Sequence, residues 1–488
     1  MPHTLALVHS THQALYAHLY PGDGLESAAM ALCHVGKGKS GMRLMANELI
    51  LVPADACAER SAAGITWPFA DSLPPEKITE IDQAGLSIVT FHNHPEGAER
   101  FSAIDDRNDK QLFASVGNWF DDCRPNGAAI MMPCGKIVSR LVDAKGRFTM
   151  IESNAVVGEN IRIWKHGGGG KRISQPMGKG VFNSLRRIWK RGRNSKPASD
   201  YGLRILQTFG KGTFDLLRNM RVGVVGCSGT GSIVCELLAR NCIGSLVIVD
   251  PDHMEEKNLN RIVNATMADA RKSAPKVEVV KRAIREMEMG THVDAYHSDT
   301  TDTAVVEALT DCDVLFGCVD SAEGRYHLEC IASAYFIPYF DVGVNLEAGA
   351  EGKIEQADAV AHYMHPENAD LMSRGGYTSE QVTAEGWRRT NKKHYEEQRA
   401  AGYLAAVGED QPAVISVNMQ AACLAFNDFL ARLHHFRLDQ NDDFSSQRVR
   451  LVHGSYESSR EGNASTPLFR KYAGMGEKSF LIQQLKGQ

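Results

Sequence analysis

The densest chemistry in the chain lies at Phe91-His92-Asn93-His94, followed after seven intervening residues, Pro95 to Phe101, by Ser102-Ala103-Ile104-Asp105. The run Ser87-Ile88-Val89-Thr90-Phe91 leads into the first histidine, and alternation along a strand end would turn His92 and His94 to one side. Ser102 to Asp105 reads as a helix start that aims a carboxylate back at the two imidazoles. Two neutral histidine nitrogens and one Asp oxygen leave a fourth tetrahedral position to water, the arrangement of a catalytic zinc site rather than a closed structural one. Zn2+ so held makes hydroxide available near neutral pH, so hydrolysis is the expected chemistry.

A second set begins at Met220-Arg221-Val222-Gly223-Val224-Val225-Gly226-Cys227-Ser228-Gly229-Thr230-Gly231-Ser232, a strand, a glycine-rich turn and a helix start. Gly226, Gly229 and Gly231 let the backbone approach a phosphate at a helix N-terminus. Asp250 stands about twenty residues beyond the loop, where a carboxylate receives ribose hydroxyls. That ribose is common to NAD and ATP. Asp250-Pro251-Asp252, Asn258-Leu259-Asn260-Arg261, Pro275-Lys276 and Cys318-Val319-Asp320 separate the two. Their polar and cationic groups suit a triphosphate with Mg2+, and hydride transfer has no need of them. Arg261 and Lys276 would neutralise charge as pyrophosphate leaves, and Asp320 would hold the magnesium.

The first constellation resembles the signature of the JAMM (MPN-type) metalloproteases, many of which cleave after the C-terminal glycine of ubiquitin-like proteins. The resemblance implies an N-terminal JAMM (cytidine-deaminase-like) α/β domain, with His92, His94 and Asp105 as zinc ligands and Ser102 donating to the oxyanion. It also calls for an upstream general base. Leu25-Glu26-Ser27-Ala28-Ala29-Met30-Ala31-Leu32 looks like the family's first central element, which makes Glu26 the group that takes a proton from the attacking water and passes it to the leaving amine.

The second constellation is similar to the ThiF-type adenylyltransferases, the family of ubiquitin-activating enzymes and of the activators of sulfur-carrier proteins. The likeness runs from about Tyr201 to His434 and implies a Rossmann-like domain with a mostly parallel sheet. By it Asp250 binds the ribose, Asn258, Arg261 and Lys276 contact the phosphates, and Asp320 binds Mg2+. Tyr201-Gly202-Leu203-Arg204 matches the leading helix, whose arginine reaches the nucleotide of a partner subunit, so the likeness implies a homodimer through this domain. One departure stands out: many relatives carry a nucleophilic cysteine in the crossover segment, and this chain has none between Ala348 and Ala422. A thioester at the usual place is thereby excluded. Cys423, inside the apolar pattern from Ala421 to Leu430, reads as a small buried thiol. The acyl-adenylate is then expected to pass to a nucleophile on a partner protein, or to Ser373, Thr378 or Ser379 as an ester.

These sites need elements to hold them, and the chain has length enough. Its 488 residues allow about two to four domains, and 43% hydrophobic with 23% charged residues exclude wholesale disorder. A net charge of −5 gives no whole-chain argument for a nucleic-acid partner. No stretch is apolar enough to span a membrane, the N-terminus lacks the pattern of a secretory signal, and eleven cysteines include no Cys-x-x-Cys pair. A reduced, cytoplasmic chain is expected. Short apolar runs mixed with helical patterns make residues 1–155 an α/β domain. Residues 156–199, with four glycines from Gly167 to Gly170 and recurrent Lys and Arg, read as a basic linker. There Phe182, Leu185, Ile188 and Trp189 recur at helical spacing, as a docked tether or as a basic helix for RNA, DNA or anionic lipid. From residue 200 to 488 strands and helices alternate, with strands at Arg221 to Val225, Ser245 to Val249 and Asp313 to Cys318 and helices at Gly231 to Asn241 and Lys276 to Glu288. That alternation implies a parallel sheet with helices on both faces.

The expectation is a two-headed enzyme of a prokaryotic-type ubiquitin-like modification pathway. One head adenylates the C-terminal glycine of a ubiquitin-like protein with ATP, and the other uses zinc to mature or deconjugate the same tail. Its partners would be that modifier and a conjugating-enzyme-like or sulfur-transfer acceptor protein. The alternatives are activation and trimming of a sulfur carrier, a silent ThiF fold that only binds a partner for the hydrolase, and, last, an NAD-dependent oxidoreductase.

Overall fold

The computed structural model describes residues 2–67, 69, 72–120, 122–166, 200–349, 352–400, 413–460 and 465–487. Period-two alternation along the strand Ala28–Lys37 sorts its side chains onto two faces. Ala29, Ala31 and Cys33 join Leu5, Leu7 and Phe91 under Leu15 and Leu19 of the helix His9–Leu19. Met30 and Leu32 join Ile88 beneath the helices Pro75–Ala84 and Ala103–Val116. The sheet so covered has nine strands in the order Ile161–Lys165, Ser153–Val157, Thr4–Val8, Met42–Leu51, Ala28–Lys37, Ser87–Asn93, Gly127–Met131, Ile137–Val142 and Phe148–Met150. It runs into the stretch read as a linker: Ile161–Lys165 pairs antiparallel with Ser153–Val157, because its alternating Ile161 and Ile163 bury into the core. Residues 156–165, read as the first part of the linker, therefore belong to this sheet and the turn within it. The basic helix pattern around Phe182 to Trp189 lies outside the described residues.

The second sheet has eight strands: His292–Tyr296, Ser245–Val249, Arg221–Val225, Val314–Gly317, Tyr339–Ala348, Ile354–Met364, Ser446–Arg450 and Ser455–Ser459. The first five are parallel and the rest antiparallel. Leu246, Val247, Ile248 and Val249 are all buried, the continuous apolar run of a strand covered on both faces. Helices Gly229–Arg240, Lys276–Glu286 and Ile415–Leu433 pack on one side of it, and Thr303–Thr310 and Ala322–Ala334 on the other. The end of the chain is neither a lone docking strand nor a loose tail. Two strands extend the sheet, and the helices Pro467–Tyr472 and Phe480–Gly487 pack on Ala322–Ala334.

The two sheets share cores, since Ala155, Ile161 and Ile163 belong to one cluster of the second sheet and Ala6 and Met45 to the other. Arg43, on a strand of the first sheet, donates to the carbonyls of Thr310, Cys312 and Phe336 at 3.3, 3.0 and 3.2 Å. Lys165 pairs with Asp313 at 2.7 Å. These partners immediately precede the strands Val314–Gly317 and Tyr339–Ala348, so the first unit docks on the amino ends of the parallel strands.

Candidate functional site

Two sites form, and each is built at a strand end. His92 is the sixth residue of Ser87–Asn93 and lies opposite Ala28. His94 follows the strand, where its N–H donates to the Met131 carbonyl at 2.9 Å. Ser102 caps the helix Ala103–Val116: its hydroxyl accepts from the Asp105 N–H at 3.1 Å, and Asp105 Oδ2 accepts from the Ser102 N–H at 2.6 Å. This capping box turns Asp105 toward the histidines. The atoms meet with His92 Nε2 and His94 Nε2 3.1 Å apart, with Asp105 Oδ1 3.3 Å from the first and Asp105 Oδ2 3.6 Å from the second. A tetrahedral ion bonded at 2.0–2.1 Å places its ligand atoms about 3.3 Å apart, so the three donors fit Zn2+ in chemistry and in spacing. His94 Nδ1 meets the Ala98 carbonyl at 2.8 Å, which leaves Nε2 with its lone pair toward the other two donors. Among the described residues this is the one group of three such ligands with converging atoms.

Glu26 precedes Ala28 by two residues, so it shares the face and the strand end of the histidines. It is buried, and the charges of His92, His94 and Asp105 all reach it. Burial raises its carboxyl above the usual range, against the pull of the two imidazoles. Asn93, which sequence reasoning passed over, holds this segment: its Oδ1 accepts from the Ser27 N–H at 2.6 Å and its Nδ2 donates to the Leu25 carbonyl at 3.2 Å. Arg60 ties the other side, donating to the Glu26 carbonyl at 2.9 Å and to Ser27 Oγ at 2.7 Å. A buried polar residue between two candidate ligands was the available signal for Asn93.

The second site lies at the carboxyl ends of the parallel strands. Gly226 adopts φ +89°, and a Cβ there would meet the Cys318 carbonyl at 2.4 Å. A Cβ on Gly231 would meet the Gly226 carbonyl at 1.7 Å, and one on Gly229 would meet Asn418 Nδ2 at 2.1 Å. At Gly226 and Gly231, where the contact is with backbone, the turn admits only glycine, and it opens onto the N-terminus of Gly229–Arg240. Asp250 is buried, accepting from the Cys227 N–H at 2.6 Å and the Asp252 N–H at 2.8 Å. Burial raises its carboxyl, opposed by Lys276. Lys276 Nζ donates to Asp252 at 2.7 Å. The side-chain oxygen Oδ1 of Asn258 caps its own turn, accepting from the Glu255 N–H at 3.0 Å. Arg261 lies beside Gly229 and donates to the Lys257 carbonyl at 3.0 Å. Asp320 is exposed just beyond Cys318.

The predicted residues Gly226, Gly229, Gly231, Asp250, Arg261, Lys276 and Asp320 therefore gather around one set of strand ends. Arg204 does not join them: it is exposed on Leu203–Asn219 and meets Gln207 at 3.5 Å. Cys423 is a correction. It is exposed rather than buried, because Ala421, Ala422 and Ala425 present the packed face of Ile415–Leu433 and residue 423 points away from them. Of the hydroxyls weighed as ester acceptors, Thr378 Oγ1 is used as a helix cap and Ser373 Oγ donates to the Asp370 carbonyl.

Residues 201–451, just over half of the chain, match the ThiF family. The chain belongs to the ThiF family. Among curated relatives, the sulfur carrier protein ThiS adenylyltransferase of Bacillus subtilis (strain 168) is 28% identical over 123 residues, 25% of this chain and 37% of that protein. Ubiquitin-like modifier-activating enzyme 5 of Drosophila willistoni is 28% identical over 151 residues, 28% of this chain and 36% of its own. The molybdopterin-synthase adenylyltransferase of Haemophilus influenzae is 27% identical over 113 residues, 23% and 46% respectively. The chain thus spans a little over a third of the length of the first two relatives. Escherichia coli MccB with MccA-N7isoASN aligns at a TM-score of 0.42 and 18% identity, over 58% of this chain and 78% of that one. No described helix is long and apolar enough to cross a membrane.

Proposed function

We propose that this ThiF-family chain is a two-headed enzyme acting on the C-terminal tail of a small ubiquitin-like protein. Its C-terminal unit, residues 200–488, adenylates the terminal glycine with ATP and Mg2+. Its N-terminal unit, which resembles the JAMM hydrolases, cuts a peptide or isopeptide bond next to the same tail. The observation that carries the reading is one polypeptide with both a glycine-rich loop beside Asp250, Lys276 and Asp320 and a His-His-Asp cluster whose ligand atoms converge.

In the first reaction the terminal carboxylate attacks the α-phosphate of ATP, forming a mixed anhydride with AMP and releasing pyrophosphate. The loop amides at the helix N-terminus cradle phosphate, Asp250 takes the ribose hydroxyls, and Arg261 with Lys276 stabilise the charge that gathers on the leaving pyrophosphate. Lys276 is held by Asp252, a partner it exchanges for phosphate. Asp320 holds Mg2+. Asn258 steadies the 256–258 turn that presents Arg261, and Arg204 completes the site of a second protomer in a homodimer.

In the second reaction His92, His94 and Asp105 would hold zinc, which when bound supplies a water ionised near neutral pH. Glu26 accepts a proton and returns it to the leaving amine, and Ser102, whose oxygen already accepts from Asp105 N–H, keeps its own proton free to donate to the oxyanion. A second reading, favoured by the sulfur-carrier and molybdopterin-synthase relatives, keeps both chemistries and takes the acyl-adenylate on to a thiocarboxylate, sulfide-level sulfur from a separate donor displacing AMP.

The test mixes the protein with ubiquitin-like and sulfur-carrier proteins ending in Gly-Gly, ATP and Mg2+. Pyrophosphate release is expected, lost in Asp320→Ala and kept in His94→Ala; cleavage of a tail-extended carrier is expected to show the opposite pattern. No release with either class of carrier removes the adenylation reading, and a thiocarboxylate by mass spectrometry selects the second.

A further inference from the structure

The helix that carries Asp105 begins with an acidic cluster. Asp105, Asp106 and Asp109 fall within its first two turns, and only the first meets the histidines. The other two are engaged by one side chain from a strand two places away in the sheet, Ile137–Val142. Arg140 is 4% exposed. Its Nη1 pairs with Asp106 at 2.5 Å and its Nη2 with Asp109 at 2.6 Å, while Nε meets the same Asp109 oxygen at 3.2 Å. The guanidinium also lies flat against Phe101 and Phe148, 3.8 Å from each ring centroid. Phe101 immediately precedes the Ser102 cap, and its ring packs edge-on against His92 with centroids 6.5 Å apart.

One planar cation therefore touches both halves of the metal pocket. Through Phe101 it sets the wall behind His92, and through Asp106 and Asp109 it sets the roll of the helix that delivers Asp105. We infer that Arg140 is the positioning residue of this pocket, and that by occupying Asp106 and Asp109 it leaves Asp105 as the one carboxylate of this helix free to ligate. The inference rests on reading His92, His94 and Asp105 as a zinc site. A lysine cannot replace it: an ammonium is a point charge that neither forks to two carboxylates nor stacks between two rings.

The experiment compares the full chain with Arg140→Ala and Arg140→Lys, measuring Zn2+ affinity by chelator competition and the visible spectrum of the Co2+-substituted proteins. Partners behind metal ligands typically govern affinity by about 10- to 100-fold, so Arg140→Ala is expected to bind zinc that much more weakly. Its Co2+ bands should also weaken, as a released Asp106 or Asp109 raises the coordination number above four. Arg140→Lys should fall between, and pyrophosphate release at the distant head should be unchanged in both. If Arg140→Ala does not fold, by circular dichroism, the lysine variant decides: affinity at least about threefold below wild type with altered Co2+ bands supports the inference. Variants that match wild type within twofold, with the wild-type Co2+ spectrum, overturn it. A wild-type chain that binds no zinc overturns instead the reading of the pocket itself.

Discussion

His362 and His365 sit where the last long strand of the second sheet reaches the docking surface, and burial holds both imidazoles down to about 3, with the guanidinium of Arg374 or Arg432 adding to it. Their folded values lie below the ordinary 6.5, so the native state keeps them neutral while an unfolded chain protonates them. The stability they contribute is complete above about pH 6.5 and is lost as pH falls from there, on the order of 1 kcal/mol per histidine for each unit. Histidine ring resonances in a labelled sample are expected to stay those of neutral imidazole from pH 7.5 down to 5 for these two; a midpoint near 6.5 at either would sink the assignment. The cluster of His92, His94 and Asp105 was legible at this scale because two histidines, a serine and an aspartate at set spacings say without a fold what they could hold. Arg140 was not, because nothing within ten residues of it in the chain says that it faces Asp106 and Asp109. Asn93 and Arg60 were missed for the same reason, since each acts on a backbone segment that the chain reaches from elsewhere.

At the scale of elements, the glycine turn shows how tightly local sequence and packing are bound together. Gly231 opens the nucleotide-loop helix so close beneath the loop that the contact is with backbone, the Gly226 carbonyl, and not with a side chain able to swing away. Gly231→Ala is therefore expected to force the strand and helix apart at a cost of at least about 3 kcal/mol, above the usual range for one added methyl. Thermal melting and nucleotide binding by calorimetry check this, and an alanine variant that binds ATP with wild-type affinity would show that the contact relaxes freely. The strands around the turn were readable because continuous runs such as Leu246 to Val249 admit one explanation. One helix start was read two residues late, at Gly231 where the helix begins at Gly229, because glycine carries no helical signal of its own, whereas the start at Lys276 stands where it was read. The strand Ile161–Lys165 was misplaced in a linker because five residues of alternating character are weak evidence until Ser153–Val157 is there to pair with them.

Across the whole molecule, the two candidate sites face away from the surface that their units share. The pocket of His92 lies at the Ala28 end of Ala28–Lys37, whereas Gly36, Gly38 and Lys39 at the other end meet Tyr335, Asp311 and Glu307. The phosphate loop likewise lies at the carboxyl ends of strands whose amino ends carry the docking contacts. Arg43 is the pin of that joint, its guanidinium buried on three backbone carbonyls. Arg43→Ala leaves those carbonyls without a donor and is expected to cost on the order of 3 kcal/mol or more, lowering the first calorimetric transition and separating the unfolding of the N-terminal unit from the rest. A melting profile that superimposes on wild type would show that the joint is carried by apolar contacts alone. The sequence by itself determined the α/β character of the chain and marked the residues of both candidate sites, because residue spacing, glycine turns and strand periodicity are local properties. Only the tertiary structure decided which way the two sites face, which carboxylates are free, and how the units are pinned, because those depend on contacts between residues from 31 to 293 positions apart that leave no periodic trace in the chain.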